Sequence, residues 1–170
     1  LIERDRAAAY FADTEQGAQA LICSEIGSEG RNFQFAQHLV CYDLPAHPDL
    51  LEQRIGRLDR IGQMGVVNIH VPVSAGSVDD VRFRWFHEGL DAFETSCSIG
   101  HLIYSELGKE LLQCEDNGYL SEALLQRTVA LKDQLSAQMD RGRDRFLEIT
   151  SHDPEKAAEL IATIEQNEQT

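Results

Sequence analysis

Apolar and polar positions alternate along the first seventy-odd residues in a way that predicts helix and strand by turns. Ile2 to Asp13 places Ile2, Arg6, Ala9 and Tyr10 at helical spacing with alanine between them, which predicts a helix. Ala18 to Ser24 (AQALICS) is a short apolar run of the kind that forms a buried strand. A loop with Gly27 and Gly30 follows. His38 to Leu44 (HLVCYDL) predicts a second strand, closed by Pro45 and Pro48, and Asp49 to Ile61 predicts a helix. Val66 to Val73 (VVNIHVPV) is β-branched and half alternating, which predicts a third strand. Strand, crossover helix and strand in succession imply a parallel sheet. Three strands leave two edges, so further strands are expected upstream of Leu1.

From Val78 the pattern changes to helical stripes. Val81, Trp85, Phe86, Leu90 and Phe93 predict one helix over Val78 to Thr95. Leu102, Ile103, Leu107, Leu111 and Leu112 predict another over Ile99 to Cys114. Leu124, Leu131, Leu135, Met139, Phe146 and Ile149 step by threes, fours and sevens, which predicts a long helix over Ser121 to Ile149 in a hairpin or bundle. Asp153 and Pro154 cap and open a last helix to Glu165. The expected division is 1–76 for the α/β part and 77–170 for the helical part.

Charge sharpens that division. The 170 residues carry 15 basic and 29 acidic side chains, a formal net charge of −14. Residues 76–170 hold net −10 of this and residues 1–75 only −4. Such a balance argues against an all-round basic coat for nucleic acid, though not against a small basic site. No apolar run approaches the roughly 20 residues that span a bilayer. The first residue is leucine and no secretory signal is visible, so a piece of a longer cytoplasmic chain is expected. Cys23, Cys41, Cys97 and Cys114 form no C-x-x-C pair. Reduced thiols are expected, with Cys23 and Cys41 packed, and no metal site.

Candidate chemistry concentrates in LLEQRIGRLDRIGQ, Leu50 to Gln63. At about 100° per residue, Gln53, Arg57 and Arg60 share one helix face. Leu51, Ile55 and Leu58 fall on the other. Two guanidiniums on one face suit a phosphate, because each offers a planar fork of donors. The alternative is a solvated face whose arginines pair with Glu52 and Asp59. The loop SEIGSEGRNFQF, Ser24 to Phe35, is able to turn backbone N–H groups toward an anion, or is an ordinary strand–helix turn. Tyr42 to Pro48 ends a strand in a carboxylate followed by an extended, proline-set turn.

In this order the three pieces, ending in Arg60-Ile61-Gly62-Gln63, resemble the last two motifs of superfamily 2 helicase-type ATPases, in the SWI/SNF-like branch. With the flanks IERDRAAAYFA and RWFHEGLDAFE, the chain is similar to the RapA (HepA) family of bacterial RNA polymerase-associated ATPases. That resemblance implies an α/β fold: the C-terminal half of a RecA-like, P-loop NTPase-type helicase lobe with a parallel sheet, followed by a mainly α-helical extension. It implies an ATP-dependent translocase on double-stranded DNA that binds RNA polymerase and promotes its release and recycling. Arg57 and Arg60 would act as catalytic arginines on the γ-phosphate of ATP held by the other lobe. Gln53, Gly27 and Gly30 would be nucleotide-binding, and Ser28 and Asn32 would couple the nucleotide site to the nucleic acid. Glu25 and Glu29 put acidic charge in that loop and argue against its gripping DNA alone. ATP and Mg²⁺ would be held mainly by a first lobe, since the sequence has no G-x-x-x-x-G-K-[ST] and no D-E-x-H. The chain alone is therefore expected neither to bind ATP well nor to hydrolyse it.

Plainer readings stand beside these. Trp85 and Phe86 are expected in the core, and His38, His70, His87 and His101 are scattered along the chain. Arg141, Arg143 and Arg145 alternate with Asp140 and Asp144, as on a solvated helix, with polymerase contact as the sharper alternative. A different functional class is a non-catalytic acidic helical module that docks on a basic protein surface. An RNA helicase of the same superfamily is disfavoured by the RIGQ ending. A sheet edge left open is expected to be covered by a dimer or by a rearranged N-terminal helix.

Overall fold

In the computed structural model, residues 2–24, 32–60, 62 and 65–152 are described, with backbone alone from 142. The chain divides into two compact units, Leu1–Val129 and Ala130–Thr170. Helix α1 spans Ile2–Ala12 and buries no residue. Its Phe11 ring meets Phe35 at 5.2 Å and Phe33 at 6.1 Å between centroids. The Asp13 carboxylate accepts from the amides of Glu15 and Gln16, which turns the chain and holds that carboxyl below its ordinary range.

Residues 18–24, expected as a buried strand, form none. Ile22 is 99% exposed and Cys23 is exposed too, against the expectation of a packed thiol. Apolar composition does not make a strand where no neighbour offers a ladder for the backbone groups. Among the described residues the sheet consists of β1, His38–Val40, and β2, Asn68–His70. They pair in parallel, as expected, with His38 opposite Asn68, Leu39 opposite Ile69 and Val40 opposite His70. Both strands are shorter than the apolar runs. β1 keeps one further bond, from the Cys41 amide to the His70 carbonyl, before the chain turns. Pro72 lacks the N–H that would prolong β2.

Helix α2 spans Pro48–Ile55. His47 caps it by accepting the Asp49 amide on Nδ1 at 3.3 Å, and Pro48 fits the first position. Helix α3, Val78–Arg84, starts at Ser77, whose hydroxyl accepts the Asp80 amide at 3.2 Å. The expected single helix to Thr95 does not persist. Trp85–Leu90 winds as a π-helical turn and Asp91, at φ 57°, ends it in the left-handed region. This turn buries Trp85, Phe86, Gly89 and Leu90 together. Helix α4 spans Gly100–Asn117 and stops at Gly118, at φ 65°. A side chain there would meet the Gly76 carbonyl oxygen. Helix α5, Glu122–His152, starts at Ser121, whose Oγ accepts the Leu124 amide at 3.2 Å. The helix expected over Asp153–Glu165 lies outside the described residues.

The core joins Leu44 and Leu51 with Val81, Trp85, Phe86, Leu90, Ile103, Leu107, Leu111 and Leu124. Trp85 and Phe86 are core residues, as expected. The Trp85 indole N–H donates to Thr128 Oγ1 at 2.9 Å, and that hydroxyl donates to the Leu124 carbonyl at 2.8 Å.

Candidate functional site

The arginine segment keeps its two-sided character but not its helical register. Leu51 and Leu58 are 0% and 4% exposed, Ile55 and Arg57 are half-buried, and Gln53 and Arg60 are exposed. The helix expected to Ile61 ends at Ile55, so Arg57 and Arg60 do not extend the face that carries Gln53. They follow on a tightened turn. The Gly56 amide bonds to Glu52, that of Arg57 to Arg54, and those of Leu58 and Asp59 to Ile55. Two causes act here. Glycine at the cap is a poor helix former. The Arg60 side chain also turns back, with Nε donating to the Gly56 carbonyl at 3.0 Å. A cation at a helix C-terminus meets carbonyls with no helical partner and the negative end of the dipole.

Among the described residues, neither Arg57 nor Arg60 pairs with Glu52 or Asp59. Glu52 instead accepts from Ser96 Oγ. Arg54, which the spacing did not single out, fastens the helix to the end of the first strand. Its Nη1 donates to the Asp43 carbonyl at 2.6 Å and its Nη2 lies 3.4 Å from Asp43 Oδ2.

Gly27, Ser28 and Gly30 lie outside the described residues, as do Glu25 and Glu29. Asn32 is exposed. Its Nδ2 donates to Gln34 Oε1 at 2.8 Å and its Oδ1 accepts the Gln34 amide at 3.0 Å. The next residue makes the link that matters: the Phe33 amide donates to the Arg57 carbonyl at 2.9 Å. The end of the glycine loop is thus tied to the arginine turn through main chain.

The far side of α2 is held by the helical part. The Leu44 amide donates to Asp79 Oδ1 at 3.3 Å and its carbonyl accepts from Arg82 Nη1 at 2.9 Å. Arg82 also grips Glu115 with both arms, at 2.7 and 3.1 Å. These bonds hold the Arg82 guanidinium protonated, above its already high ordinary pKa. The His47 ring meets Tyr104 edge-on at 4.7 Å, and Gly100 leaves room for Pro48. Arg82 and Glu115 are 33 residues apart, so no local spacing could have marked them.

Other chemistry is sparse. Among the described residues no group of three histidine, cysteine, aspartate or glutamate side chains could hold a metal. His38 and His70, scattered in sequence, meet across the two strands, with Nδ1 and Nε2 2.9 Å apart. Cys41 is buried as expected, and burial pushes its thiol pKa up. Arg141 and Asp140 are exposed, while the side chains of Arg143, Asp144 and Arg145 lie outside the described residues.

Two family models match the chain. The helicase conserved C-terminal domain matches residues 2–62. The RNA polymerase recycling family, C-terminal region, matches residues 66–170, more than half of the chain. The chain belongs to the RNA polymerase recycling family. It is a helicase-type, RNA polymerase-associated chain of the RapA type, and its fold is that of a RecA-like helicase lobe running into helices. Gln53, Arg57 and Arg60 fall in the helicase match, and Asp79, Arg82, Tyr104 and Glu115 in the recycling-family match. The arginine helix is therefore set on a seat built by the family's own helices. No helix among the described residues is long and apolar enough to cross a membrane.

Proposed function

We propose that this chain serves an ATP-dependent translocase on double-stranded DNA that acts on RNA polymerase and promotes its release and recycling. Residues 1–76 would be the end of the second lobe and 77–170 the helical extension, in a cytoplasmic, nucleoid-associated protein. ATP and Mg²⁺ would be held mainly by a first lobe, with Gln53, Gly27 and Gly30 at the nucleotide and Ser28 and Asn32 relaying toward the DNA.

The observation that carries this reading is the arginine turn. Arg60 is exposed and Arg57 half-exposed on a segment whose other side is buried through Leu51 and Leu58. A guanidinium so placed is able to reach a phosphoryl group on a facing surface, and its planar fork matches the oxygens on which charge develops. Arg60 would exchange its bond to the Gly56 carbonyl for the phosphate. The bond from Phe33 to Arg57 would carry movement of the turn into the loop.

Arginine fingers contribute about 10³–10⁵ in rate, so Arg57→Ala in the two-lobed protein is expected to reduce DNA-stimulated ATP hydrolysis by about that factor. Turnover at the wild-type rate would overturn the assignment. For the chain alone no turnover is expected, and a measurable rate lost with Arg57→Ala would refute that.

A second reading, an acidic docking module, draws on the net −10 of residues 76–170. Titration against core RNA polymerase and duplex DNA separates the two. Binding to polymerase without any dependence on DNA or nucleotide favours the module. Among the described residues the sheet has two strands, which supports a further proposal, pairing of chains through an edge; a strict monomer in solution scattering would exclude it.

A further inference from the structure

Arg82 sits where three segments meet, and its fork is shared between them. Two of its nitrogens hold both oxygens of Glu115 on α4, and a third holds the Leu44 carbonyl ahead of α2. Glu115 is only 7% exposed. Separating the pair would strand a buried carboxylate, so α3 and α4 move as one body or pay heavily in desolvation.

Leu44 is equally constrained. It is buried, and both of its backbone groups are taken by α3, the amide by Asp79 and the carbonyl by Arg82. Between Leu44 and α2 lie Pro45, Ala46 and His47, then Pro48 as the first helical residue. Proline fixes φ, and each proline restricts the residue before it, so this connection has little slack. His47 against Tyr104, Pro48 against Gly100 and Glu52 to Ser96 hold α2 from the same side. A shift of the family helices would thus reach Gly56 and the arginine turn with little loss. The exposed pair Arg84–Glu88 offers a contrast, for it joins residues four apart and connects no second element.

We propose that Arg82 is a positioning residue: together with Glu115 it sets the placement of the arginine turn from the recycling-family helices, so that a polymerase-induced shift of those helices alters nucleotide turnover. This rests on the reading of Arg57 and Arg60 given above, and the experiment keeps the two apart.

The test uses the two-lobed protein with and without RNA polymerase. The variants are Arg82→Met with Glu115→Leu, Arg82→Lys alone, Arg84→Ala and Arg57→Ala. Replacing both members of the pair leaves no unpaired buried charge, so the double variant is expected to fold, with an unfolding temperature somewhat below wild type because the Leu44 carbonyl loses its donor. Arg82→Lys keeps a charge for Glu115 but lacks the fork that also reaches Leu44.

A misplacement of about 1 Å in a catalytic group costs up to about 100-fold, so kcat should fall roughly tenfold or more in both Arg82 variants. The KM for ATP should stay near wild type, the response to polymerase should be lost, and Arg84→Ala should behave as wild type. Wild-type kcat and polymerase response in either folded Arg82 variant, or a change confined to KM, would overturn the inference while leaving Arg57 and Arg60 in place. Full turnover in Arg57→Ala would overturn both.

Discussion

Thr128 shows how one buried hydroxyl completes the hydrogen bonding of its surroundings. It is fully buried, accepts the Trp85 indole N–H and donates to the Leu124 carbonyl. Thr128→Val keeps the shape but leaves the indole N–H without an acceptor, which costs about 1–3 kcal/mol. Urea unfolding should show that loss as a lower midpoint. Glu88 supplies a pH signature. The hydrogen bond from Arg84 holds its carboxyl below the usual glutamate range. Any stability it contributes is complete above the unfolded pKa and fades as pH falls through the lowered folded value. At an exposed site that stability is small. The sharper measurement is a carbon-13 titration, in which Glu88 should titrate below an ordinary glutamate and move up toward it in Arg84→Ala. The thiols divide by burial. A thiol reagent at neutral pH should label exposed Cys23 quickly and buried Cys41 only on unfolding.

At the scale of elements, the π-helical turn depends on a close approach. A β-carbon on Gly89 would stand 3.0 Å from Thr128 Cγ2 and 3.4 Å from Leu125 Cδ1. Gly89→Ala should therefore destabilise the chain by about 1–3 kcal/mol, the range for overfilled cores, read as a lower denaturant midpoint at unchanged m. The stripe Val81, Trp85, Phe86 and Leu90 was legible from spacing, because burial follows the apolar face whichever way the helix winds. The winding was not, because the residues this turn packs against, Leu125 and Thr128, lie some forty residues away. On α4 spacing found Ile103, Leu107 and Leu111, which are buried, but also Leu102 and Leu112, which remain exposed. The start of α2 was legible from Pro48; its end was expected at Ile61 although Gly56 stands at the cap, where the Arg60 side chain also turns back to the Gly56 carbonyl. AQALICS misled too: an apolar run says nothing about whether a ladder partner exists. Arg57 and Arg60 stand in a local motif, but the helical spacing that set them on one face with Gln53 does not persist past Ile55. Arg82 could not be picked out, because both its partners come from distant parts of the chain.

Across the whole molecule, charge is what bears on nucleic acid. A net charge of −14 repels a polyanion, and no described part of the chain offsets it with a broad basic surface. The chain alone is expected to leave duplex DNA unshifted in a gel assay at physiological salt. Tight DNA binding by the isolated chain would place the DNA track on the lobe's loop, contrary to the acidic Glu25 and Glu29 within it.

The bond from the Phe33 amide to the Arg57 carbonyl has a consequence for how such a chain varies over time. Neither side chain takes part in it. Positions 33 and 57 can drift separately without severing the link, and a comparison of sequences would register no covariation between the loop and the arginine turn. An alanine scan would pass over it for the same reason. Proline at 33 alone among the natural residues lacks the donor. The coupling of loop to arginine is thus insulated from most of the mutational change the chain can undergo.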